Sequence, residues 1–334
     1  TDDSILTGPD DEELDRVMRE IADSGLDITQ EEGGLEDFLG VNIEQTAPDT
    51  YHLSQPHLIE QILKDLRLLG DDVAVKDTPA NASRILGSHP ESKPFDGHFN
   101  YRSVIGKLNY LEKSTRPDLG YSVHQCARFS ANPKTEHGNA VKHIGRYLRG
   151  TRDKGIYLKV SDASFEVWAD ADFSGNWRKE EALEDSDTAR SRSGYIITYL
   201  GCPILWKSQL QTEIALSSCE SEYICLSQAL KRTIPLMEIV QEMKDLGYNV
   251  GDTTPTVRCT LFEDNSGAMT LAKAPAMRPR TKHINNKYHH FRSFVANGKV
   301  TILAVRSEDQ CADMLTKPNN VTDLVRHRKR VMGW

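Results

Sequence analysis

The stretch Phe165–Trp177, which reads FEVWADADFSGNW, constrains the fold of this chain more than any other. Apolar side chains alternate with other side chains along FEVWAD, which is the period of two expected for a β-strand with two different faces. The strand runs into Asp172 and then into a Ser-Gly-Asn turn. An Asp at the end of a central strand is held by rigid backbone and is well placed to bind a metal ion. Asp is also common there because it satisfies backbone groups of the turn.

The pattern around this strand predicts one mixed sheet with helices packed on its faces. Three consecutive strands precede a long helix, which favours antiparallel pairing among the three, and the later strands alternate with helices. The predicted strands are 165–170, 194–200, 203–208 with a continuation at 212–216, 257–263 and 299–305. The predicted helices are 218–246, 266–273, 285–297 and 309–316.

Upstream of this region the chain changes character. Capping residues and apolar spacing predict a helix over 10–24, and alternation around an Ala-Pro-Asp turn predicts a β-hairpin over 37–55. A second helix begins at Pro56, residues 71–99 have the proline and glycine content of a surface loop, and residues 100–150 return to helical periodicity. We therefore expect a mainly helical segment between the hairpin and the mixed sheet.

Three further acids occur at the ends of predicted elements. Glu222 lies in the first turns of the helix ALSSCESEYICLSQAL, Asp264 closes the strand TVRCTLFED, and Asp313 lies in the short helix DQCADMLTK. The order strand–Asp, helix–Glu, strand–Asp, helix–Asp resembles the site of ribonucleases H. Four clustered carboxylates would repel one another without cations, and the hard cation Mg²⁺ prefers oxygen ligands.

Several motifs narrow the resemblance to one family, and together they cover nearly the whole chain. The segments ADADFSGNW, SRSGYIITYLGCPILWKS, ALSSCESEY, EDNSGAM, RTKHINNKYHHFR and EDQCADMLTKP resemble the Pol polyprotein of copia-type retrotransposons. The resemblance implies an α/β (mixed α and β) fold in which a ribonuclease H-like mixed sheet with flanking helices follows the end of a reverse-transcriptase palm and a mainly helical thumb and connection. The implied parts are 1–55 (palm end with primer-positioning hairpin), 56–158 (thumb and connection), 159–318 (ribonuclease H-like domain) and 319–334 (basic C-terminal tail).

The resemblance also implies a reaction, which is endonucleolytic hydrolysis of RNA in RNA–DNA hybrids during reverse transcription. Two Mg²⁺ ions, with Mn²⁺ as a substitute, would lie about 3.5–4 Å apart and stabilise the attacking and leaving oxygens. The implied catalytic and metal-binding residues are Asp170, Glu222, Asp264 and Asp313. The implied partners are the RNA–DNA hybrid and two parts of the same polyprotein, namely the upstream reverse-transcriptase fingers and palm, and the integrase. No membrane partner is implied. The implied location is intracellular, in cytoplasmic virus-like particles and in the nucleus.

Local arguments favour some of these acids over their neighbours. Asp170 is the last residue of the predicted strand, which favours it over Asp172 as the first ligand, as does the resemblance; the Asp-x-Asp pattern leaves Asp172 as the alternative. Ser217-x-x-Glu220 has the spacing of a capping box, which gives Glu220 a structural role. Glu222 instead heads the apolar stripe of its helix and is expected to face the sheet.

The other two acids also have structural alternatives. Asp264 could simply cap the helix that follows, although Asn265 can fill the same role. Ser307-x-x-Gln310 again has capping-box spacing, so Asp309 is interpreted as the dispensable surface acid and Asp313 as the ligand.

Charge is unevenly distributed along the chain, whose net charge is −8. Residues 1–50 hold 16 Asp and Glu against 2 Arg, whereas residues 275–334 hold 12 Lys and Arg against 4 Asp and Glu. The basic end is where phosphates could be bound, although solvated acidic and basic faces would give the same counts. The candidate contacts to the nucleic-acid backbone, each of which could also be a plain surface charge, are Arg190, Arg192, Lys207, Arg278, Arg280, Lys282 and His283.

The start of the chain resembles the reverse-transcriptase hairpin. Asp2 and Asp3, followed by SILTGP, match the two adjacent acids that help bind the polymerase metals in that family. The alternative is that the two acids are simply an acidic end of the chain. The third Asp and the nucleotide pocket would precede Thr1. We therefore expect a piece of a longer product whose truncated RNA-directed DNA polymerase portion is inactive alone.

The nuclease hypothesis has two rivals. An inactive retrotransposon relic that only binds nucleic acid would not need all four acids. A transposase or integrase of the same superfold needs a late Glu, whereas the late acid here is Asp313. The chain departs from ribonucleases H in lacking a His shortly before that Asp, and from the copia pattern in having Arg192 between Ser191 and Ser193.

Other classes of protein are disfavoured by composition. The six cysteines include no Cys-x-x-Cys pair, which argues against zinc sites and indicates a reducing compartment. No apolar run approaches the roughly 18 residues of a membrane-spanning helix, and no signal segment opens the chain.

Overall fold

The computed structural model describes residues 5, 6, 8, 10–26, 37–70, 72–81, 85–88, 91–179, 181, 185–274, 284 and 286–334. The strands in these ranges are β1 (Asp37–Phe38), β2 (Val41–Ala47), β3 (Thr50–Ser54), β4 (Ile156–Lys159), β5 (Phe165–Asp172), β6 (Arg192–Tyr199), β7 (Cys202–Leu210), β8 (Cys259–Glu263) and β9 (Val300–Ala304). The helices are α1 (Asp11–Asp23), α2 (Pro56–Asp65), α3 (Tyr101–Ser114), α4 (Gly120–Ala127), α5 (Thr135–Gly150), α6 (Ser218–Asp245), α7 (Ser266–Lys273), α8 (Arg292–Ala296), α9 (Asp313–Thr316) and α10 (Val321–Met332).

The first sheet is antiparallel and has the order β1-β2-β3-β4. Strands β2 and β3 form the hairpin that the sequence predicts, with its turn between Ala47 and Thr50. The fourth strand comes from far along the chain, since Thr50 on β3 pairs with Lys159 on β4. Helices α2 to α5, which the sequence also predicts, lie between these two strands in the chain, so the sheet holds both ends of the helical segment.

The second sheet has five strands in the order β7-β6-β5-β8-β9. Strand β6 is antiparallel to both of its neighbours, β5 and β7, whereas β8 runs parallel to β5 and β9 runs parallel to β8. This confirms the predicted fold class, α/β (mixed α and β), with a mixed sheet and flanking helices. Because β5 and β8 are parallel neighbours, their carboxyl ends lie at the same edge of the sheet.

The two faces of this sheet pack against different parts of the chain. Successive side chains of a strand point to opposite faces. Val167 on β5 and Ile197 on β6 belong to a core with the buried side of α6. Trp168 and Ile196, the neighbours of these residues on the two strands, belong instead to a core shared with helices α2 to α5, α9 and α10. The mixed sheet is therefore covered by α6 on one face and by the helical segment on the other.

Some predicted boundaries differ from the structure. The strand predicted at 212–216 is wrong, because β7 ends at Leu210 and no strand follows before α6. The helix predicted over 285–297 is two shorter pieces, a 3-10 turn at Asn286–His289 and helix α8. Helix α6 is continuous over the predicted region, although it contains Pro235.

The segment interpreted from sequence as a basic tail contains helix α10, and its buried Leu324, Val331 and Met332 lie in the core shared with the helical segment.

Next to this helix, Arg116 and Asp118 form a fully buried ion pair with two hydrogen bonds of 2.9 and 2.8 Å.

The buried ion pair is extended into a network that includes α10. Tyr147 on α5 donates a hydrogen bond to Asp118 (2.5 Å), and Arg328 on α10 donates one to the hydroxyl of Tyr147 (2.7 Å). The Arg328 guanidinium lies 4.1 Å from the ring centroid of Trp334, whose indole donates to the carbonyl of Gly155. We name the set Arg116, Asp118, Tyr147, Arg328 and Trp334 the arginine network. It joins the C-terminal helix to the helical segment.

We expect Asp118→Asn to destabilise the chain by about 3–5 kcal/mol, because it leaves the buried Arg116 without its counter-charge. Urea denaturation monitored by circular dichroism measures this free energy of unfolding. The matched control is Asp153→Asn, since the Asp153 side chain is 79% exposed and only pairs with a neighbouring lysine. The control should change stability by less than about 0.5 kcal/mol. Equal effects of the two substitutions would contradict the prediction.

Candidate metal centre

Three carboxylates from three different elements meet at one edge of the mixed sheet. Asp170 lies near the end of β5, Glu222 lies in the second turn of α6, and Asp264 follows the last residue of β8. One carboxylate oxygen from each lies within 4.8 Å of the other two. Asp170 and Glu222 are buried, and Asp264 is half-buried. The geometry is that of a cation site made of oxygen ligands.

Asp313 approaches the same cluster from α9, with Asp170 as its nearest acid. The carboxyl groups of Asp170 and Asp313 share a hydrogen bond, and the hydroxyl of Thr316 donates a further one to Asp170. Helix α9 can lie this close to the sheet because residue 194 on β6 is a glycine. A Cβ atom on Gly194 would lie 2.6 Å from the Thr316 methyl group and 2.8 Å from the Leu315 Cβ atom.

Gln310 holds the loop before α9 against the sheet. Its side chain is fully buried and donates to the backbone carbonyl of Ala169 (2.9 Å), the residue before Asp170. The capping-box role predicted for Gln310 is wrong, because the turn at Ser307–Asp309 has no side-chain cap. Gln310 instead fixes the distance between the loop and β5, which places Asp313 beside Asp170.

The structural alternatives for Asp264 and Asp309 are resolved by their contacts. Asn265, and not Asp264, caps α7, since its side chain accepts from the backbone N–H of Ala268 (3.0 Å). The hydroxyl of Ser307 donates to Asp264 (2.7 Å) and orients its carboxylate. Asp309 pairs with Arg306 (2.7 Å) on the outside of the loop, as expected for a surface acid.

Glu220 has the structural role that the sequence predicts. The hydroxyl of Ser217 accepts from the backbone N–H of Glu220 (3.1 Å), and the Glu220 carboxylate accepts from that of Leu216 (2.8 Å). On the same side of α6 as Glu220, Ile224 and Ser227 are also buried, whereas Lys231 is exposed. Here the end of the long helix packs on both sides, so burial does not separate Glu220 from Glu222.

Asp172, the alternative first ligand, is half-buried near Asp170 but is not one of the three acids whose oxygens converge. Burial raises its pKa, with Asp170 as the next cause. The backbone turns sharply after it, since Ser174 has a φ of +51°.

A fifth acid that the sequence analysis missed lies beside the cluster. Glu263 is the last residue of β8 and is fully buried. The alternation along TVRCTLFED could have shown this, because it places Glu263 on the same face as the apolar Cys259 and Leu261. One oxygen of Glu263 accepts from the backbone N–H of Asn265 (3.0 Å).

Burial and mutual repulsion raise the pKa values of the clustered acids. Burial raises the pKa of Glu222 to about 11, with Asp170, Glu263 and Asp264 adding to the effect. Burial also raises the pKa of Glu263 to about 8 and that of Asp313 to about 7. The pKa of Asp170 is raised for the same reason, against the opposing effect of Lys317. Without a cation the cluster therefore holds protons at neutral pH.

The residues present suit a divalent cation. One oxygen of Glu222 and one of Glu263 are buried and accept no hydrogen bond from the described residues. Unpaired buried carboxylate oxygens are costly, and a bound cation would compensate both the lost hydrogen bonds and the repulsion between the acids. The donor set is all oxygen, as Mg²⁺ and Mn²⁺ prefer.

The predicted nucleic-acid contacts occupy different environments. Lys207 on β7 is exposed, and Arg190 is half-exposed and pairs with Asp187 (3.0 Å). Arg192 is buried, and its guanidinium donates to His124 (2.7 Å) and to Ser208 (3.2 Å), so it does not present its charge to solvent. Outside the described residues lie Arg278, Arg280, Lys282 and His283, and the polymerase-like Asp2 and Asp3.

We expect the metal-free chain to lose stability as the pH rises. The folded-state pKa values of about 7, 8 and 11 exceed the ordinary values of 3.8 and 4.5, so the folded chain holds protons that the unfolded chain has lost. These protons contribute their full stability below about pH 4. Above that pH the free energy of unfolding decreases by about 1.4 kcal/mol per proton and pH unit, until the pH reaches the folded-state pKa of each group.

Thermal melts in a chelator at pH 5 and pH 8.5 measure this loss, and added Mg²⁺ should reverse it at pH 8.5. Glu222→Gln is the internal control, because it removes the group with the largest shift and should reduce the difference between the two melting temperatures. An unchanged difference in that variant would contradict the assignment of the shift to Glu222.

Comparison with known proteins places the chain among transposon proteins. No protein-family model matches the chain. It is 34% identical over 320 residues to the retrovirus-related Pol polyprotein from transposon RE2 of Arabidopsis thaliana, an alignment that covers 95% of this chain and 20% of that protein. It is 31% identical over 332 residues to the corresponding polyprotein from transposon TNT 1-94 of Nicotiana tabacum, covering 97% of this chain and 23% of that protein.

Among solved structures, the ribonuclease H1 LC11 isolated from compost is 15% identical, with 46% of this chain and 91% of that chain covered and a TM-score of 0.31. Among the described residues, no helix combines the length and the apolar character needed to cross a membrane. The alignments extend over nearly all of this chain and about one fifth of the relatives' length. The chain therefore belongs to the family of copia-type retrovirus-related Pol polyproteins.

Proposed function

We propose that this chain hydrolyses the RNA strand of RNA–DNA hybrids endonucleolytically, with divalent cations, as part of retrotransposon reverse transcription. The observation that carries the proposal is the meeting of Asp170, Glu222 and Asp264, with one oxygen of each within 4.8 Å of the others and a buried Glu222 oxygen that lacks a partner among the described residues. An arrangement that costs stability in the free protein is typical of a functional site.

The three converging acids would hold the cation, and Asp313 would complete the set beside Asp170. Bound Mg²⁺, or Mn²⁺ in its place, would lower the pKa of an attacking water and stabilise the charge on the oxygens of the scissile phosphodiester. Two ions remain the expectation for the complete reaction, because attacking and leaving oxygens both need stabilisation.

The neighbouring polar groups position these acids. Ser307 holds Asp264, Thr316 holds Asp170, and Gln310 fixes the loop that carries Asp313 to the backbone of β5. Ligands held within narrow limits of distance and angle bind a cation without further reorganisation. The site is thus built on two strand ends and two helices, which are more rigid than loops.

The proposed substrate is the hybrid, recognised through backbone charge and the 2′-hydroxyl rather than base edges. Lys207 and Arg190 are the described candidates that reach solvent. Arg278, Arg280, Lys282 and His283 stay predicted contacts. We do not retain Arg192, because a contact to phosphate would require its buried guanidinium to leave His124 and Ser208.

The remaining parts of the proposal follow from family membership. Since the chain spans about one fifth of its relatives' length, the reverse-transcriptase fingers and palm and the integrase are proposed partners within a larger polyprotein. We propose the same particle-associated and nuclear locations that the family implies.

The direct test is cleavage of a hybrid whose RNA strand is labelled at one end. The purified chain in Mg²⁺ should produce internal RNA cuts in the hybrid and none in a DNA duplex of the same sequence, and a chelator should abolish the cuts. Binding of the hybrid without any cleavage in Mg²⁺ or Mn²⁺ would support the alternative of an inactive relic that only binds nucleic acid.

We predict that Glu222→Gln reduces hybrid cleavage by at least about a thousandfold, in line with the loss of a metal-binding charge at the reacting centre. Its thermal stability in chelator should stay equal or rise, because repulsion among the acids is relieved. The measurement is single-turnover cleavage at saturating Mg²⁺, so that weakened metal affinity is not mistaken for lost chemistry.

The matched control for this variant is Glu220→Gln, two residues earlier on the same helix and equally buried. It should keep cleavage within a few-fold, since Gln can still accept the hydrogen bond from Leu216. An inactive Glu220→Gln beside an active Glu222→Gln would mean that the ligand of α6 is misassigned.

A further inference from the structure

Lys317 lies one turn beyond Asp313, at the end of α9. Its ammonium is 2.8 Å from one oxygen of Asp313, and its backbone N–H donates to the carbonyl of the same residue (3.2 Å). The Lys317 side chain is 44% exposed, whereas that of Asp313 is only 12% exposed. The lysine therefore reaches from solvent into the acid cluster and places a fixed positive charge at one side of it.

The acid cluster is divided by this charge into two sides. Lys317 acts on Asp170, Asp172 and Asp313, and it lowers their pKa values against the larger opposing effect of burial. On the other side, the chief charges that act on Glu222 and Glu263 are those of neighbouring acids. One buried oxygen each of Glu222, Glu263 and Asp313 accepts no hydrogen bond from the described residues, and the Asp313 oxygen lies 2.8 Å from the Lys317 ammonium. A positive charge of the protein therefore contacts the aspartate side, whereas the chief charges that act on the glutamate side are negative.

We propose that Lys317 is a positioning residue whose ammonium occupies the place of a second cation while no metal ion is bound there. This inference rests on the metal site of the proposed function. In the free protein one divalent ion binds tightly to Asp170, Glu222 and Asp264. A second ion can use the pair Asp170 and Asp313 only when the Lys317 ammonium leaves Asp313.

The chemistry of lysine suits this role. Its ammonium is a compact charge on a flexible four-carbon stem, and an exposed stem can change rotamer without disturbing the core. A positive charge in contact with a shared carboxylate opposes a second cation electrostatically, because like charges a few ångströms apart repel strongly in a partly buried site. The same charge holds Asp313 in place while that position lacks a metal.

The test is to count and titrate bound ions in the full chain without substrate. Isothermal titration with Mg²⁺, and electron paramagnetic resonance with Mn²⁺ to count bound ions, should give one tight ion in the unmodified protein. Lys317→Gln should bind a second ion at least about tenfold more tightly than the unmodified protein does. Lys317→Met, which also lacks the charge, should behave in the same way, and Lys317→Arg should restore the single tight ion.

Lys329→Gln is the matched control, because it removes one exposed positive charge in the last turn of α10, which is not among the chief charges that act on the clustered acids. It should leave the stoichiometry unchanged, which separates a local effect from a change in net charge. Circular dichroism confirms that each variant is folded before titration.

Two results would overturn the inference alone: two ions of comparable affinity in the unmodified protein, or one unchanged ion in Lys317→Gln and Lys317→Met. A chain that binds no divalent ion in any variant would overturn the proposed metal site and this inference together. The first two outcomes leave hybrid cleavage with metal intact, so the failures are distinguishable.

Discussion

The buried ion pair between Arg116 and Asp118 is the constraint on which the arrangement of this chain depends. A charge without access to water is tolerated only when its partner is present and its remaining hydrogen-bonding groups are satisfied. Asp118 meets this condition with Arg116 and Tyr147, and Tyr147 in turn accepts from Arg328. Satisfying the pair therefore fixes the position of the C-terminal helix α10 against the helical segment.

The same constraint reaches the candidate metal centre. Only four residues separate the end of α9 from the start of α10. Holding α10 in place limits where α9 can lie, and α9 carries Asp313 and the hydroxyl of Thr316 to Asp170. Two kinds of electrostatic environment thus lie close together in the chain. In the arginine network opposite charges are paired and buried. In the acid cluster like charges are buried together, and a bound cation would compensate their repulsion.

The parts of the structure that depend on local pattern could be predicted from sequence. The alternation in FEVWAD gave β5, the capping box gave the start of α6, and the helix at 266–273 has the predicted bounds. The residues that long-range packing determines could not be predicted in this way. Arg192 is predicted from sequence to contact the nucleic-acid backbone because residue type does not reveal burial, and Arg116 and Arg328 are separated by most of the chain. Gln310 was assigned to a cap because its partner, the carbonyl of Ala169, is supplied by a distant strand.

The shared core between the mixed sheet and the helical segment has a consequence for how this region can be divided. Trp168, Ile196 and Met314 are almost completely buried against helices that precede residue 150 in the chain. A fragment cut out near residue 159 would expose that apolar face to water, and its C-terminal helix would lose Asp118 and Tyr147. The boundary near residue 159 that the sequence suggests is therefore not the boundary of an independently folding unit. Proteolytic release of such a fragment would produce an aggregation-prone product, which favours retaining the helical segment and the mixed sheet in one polypeptide.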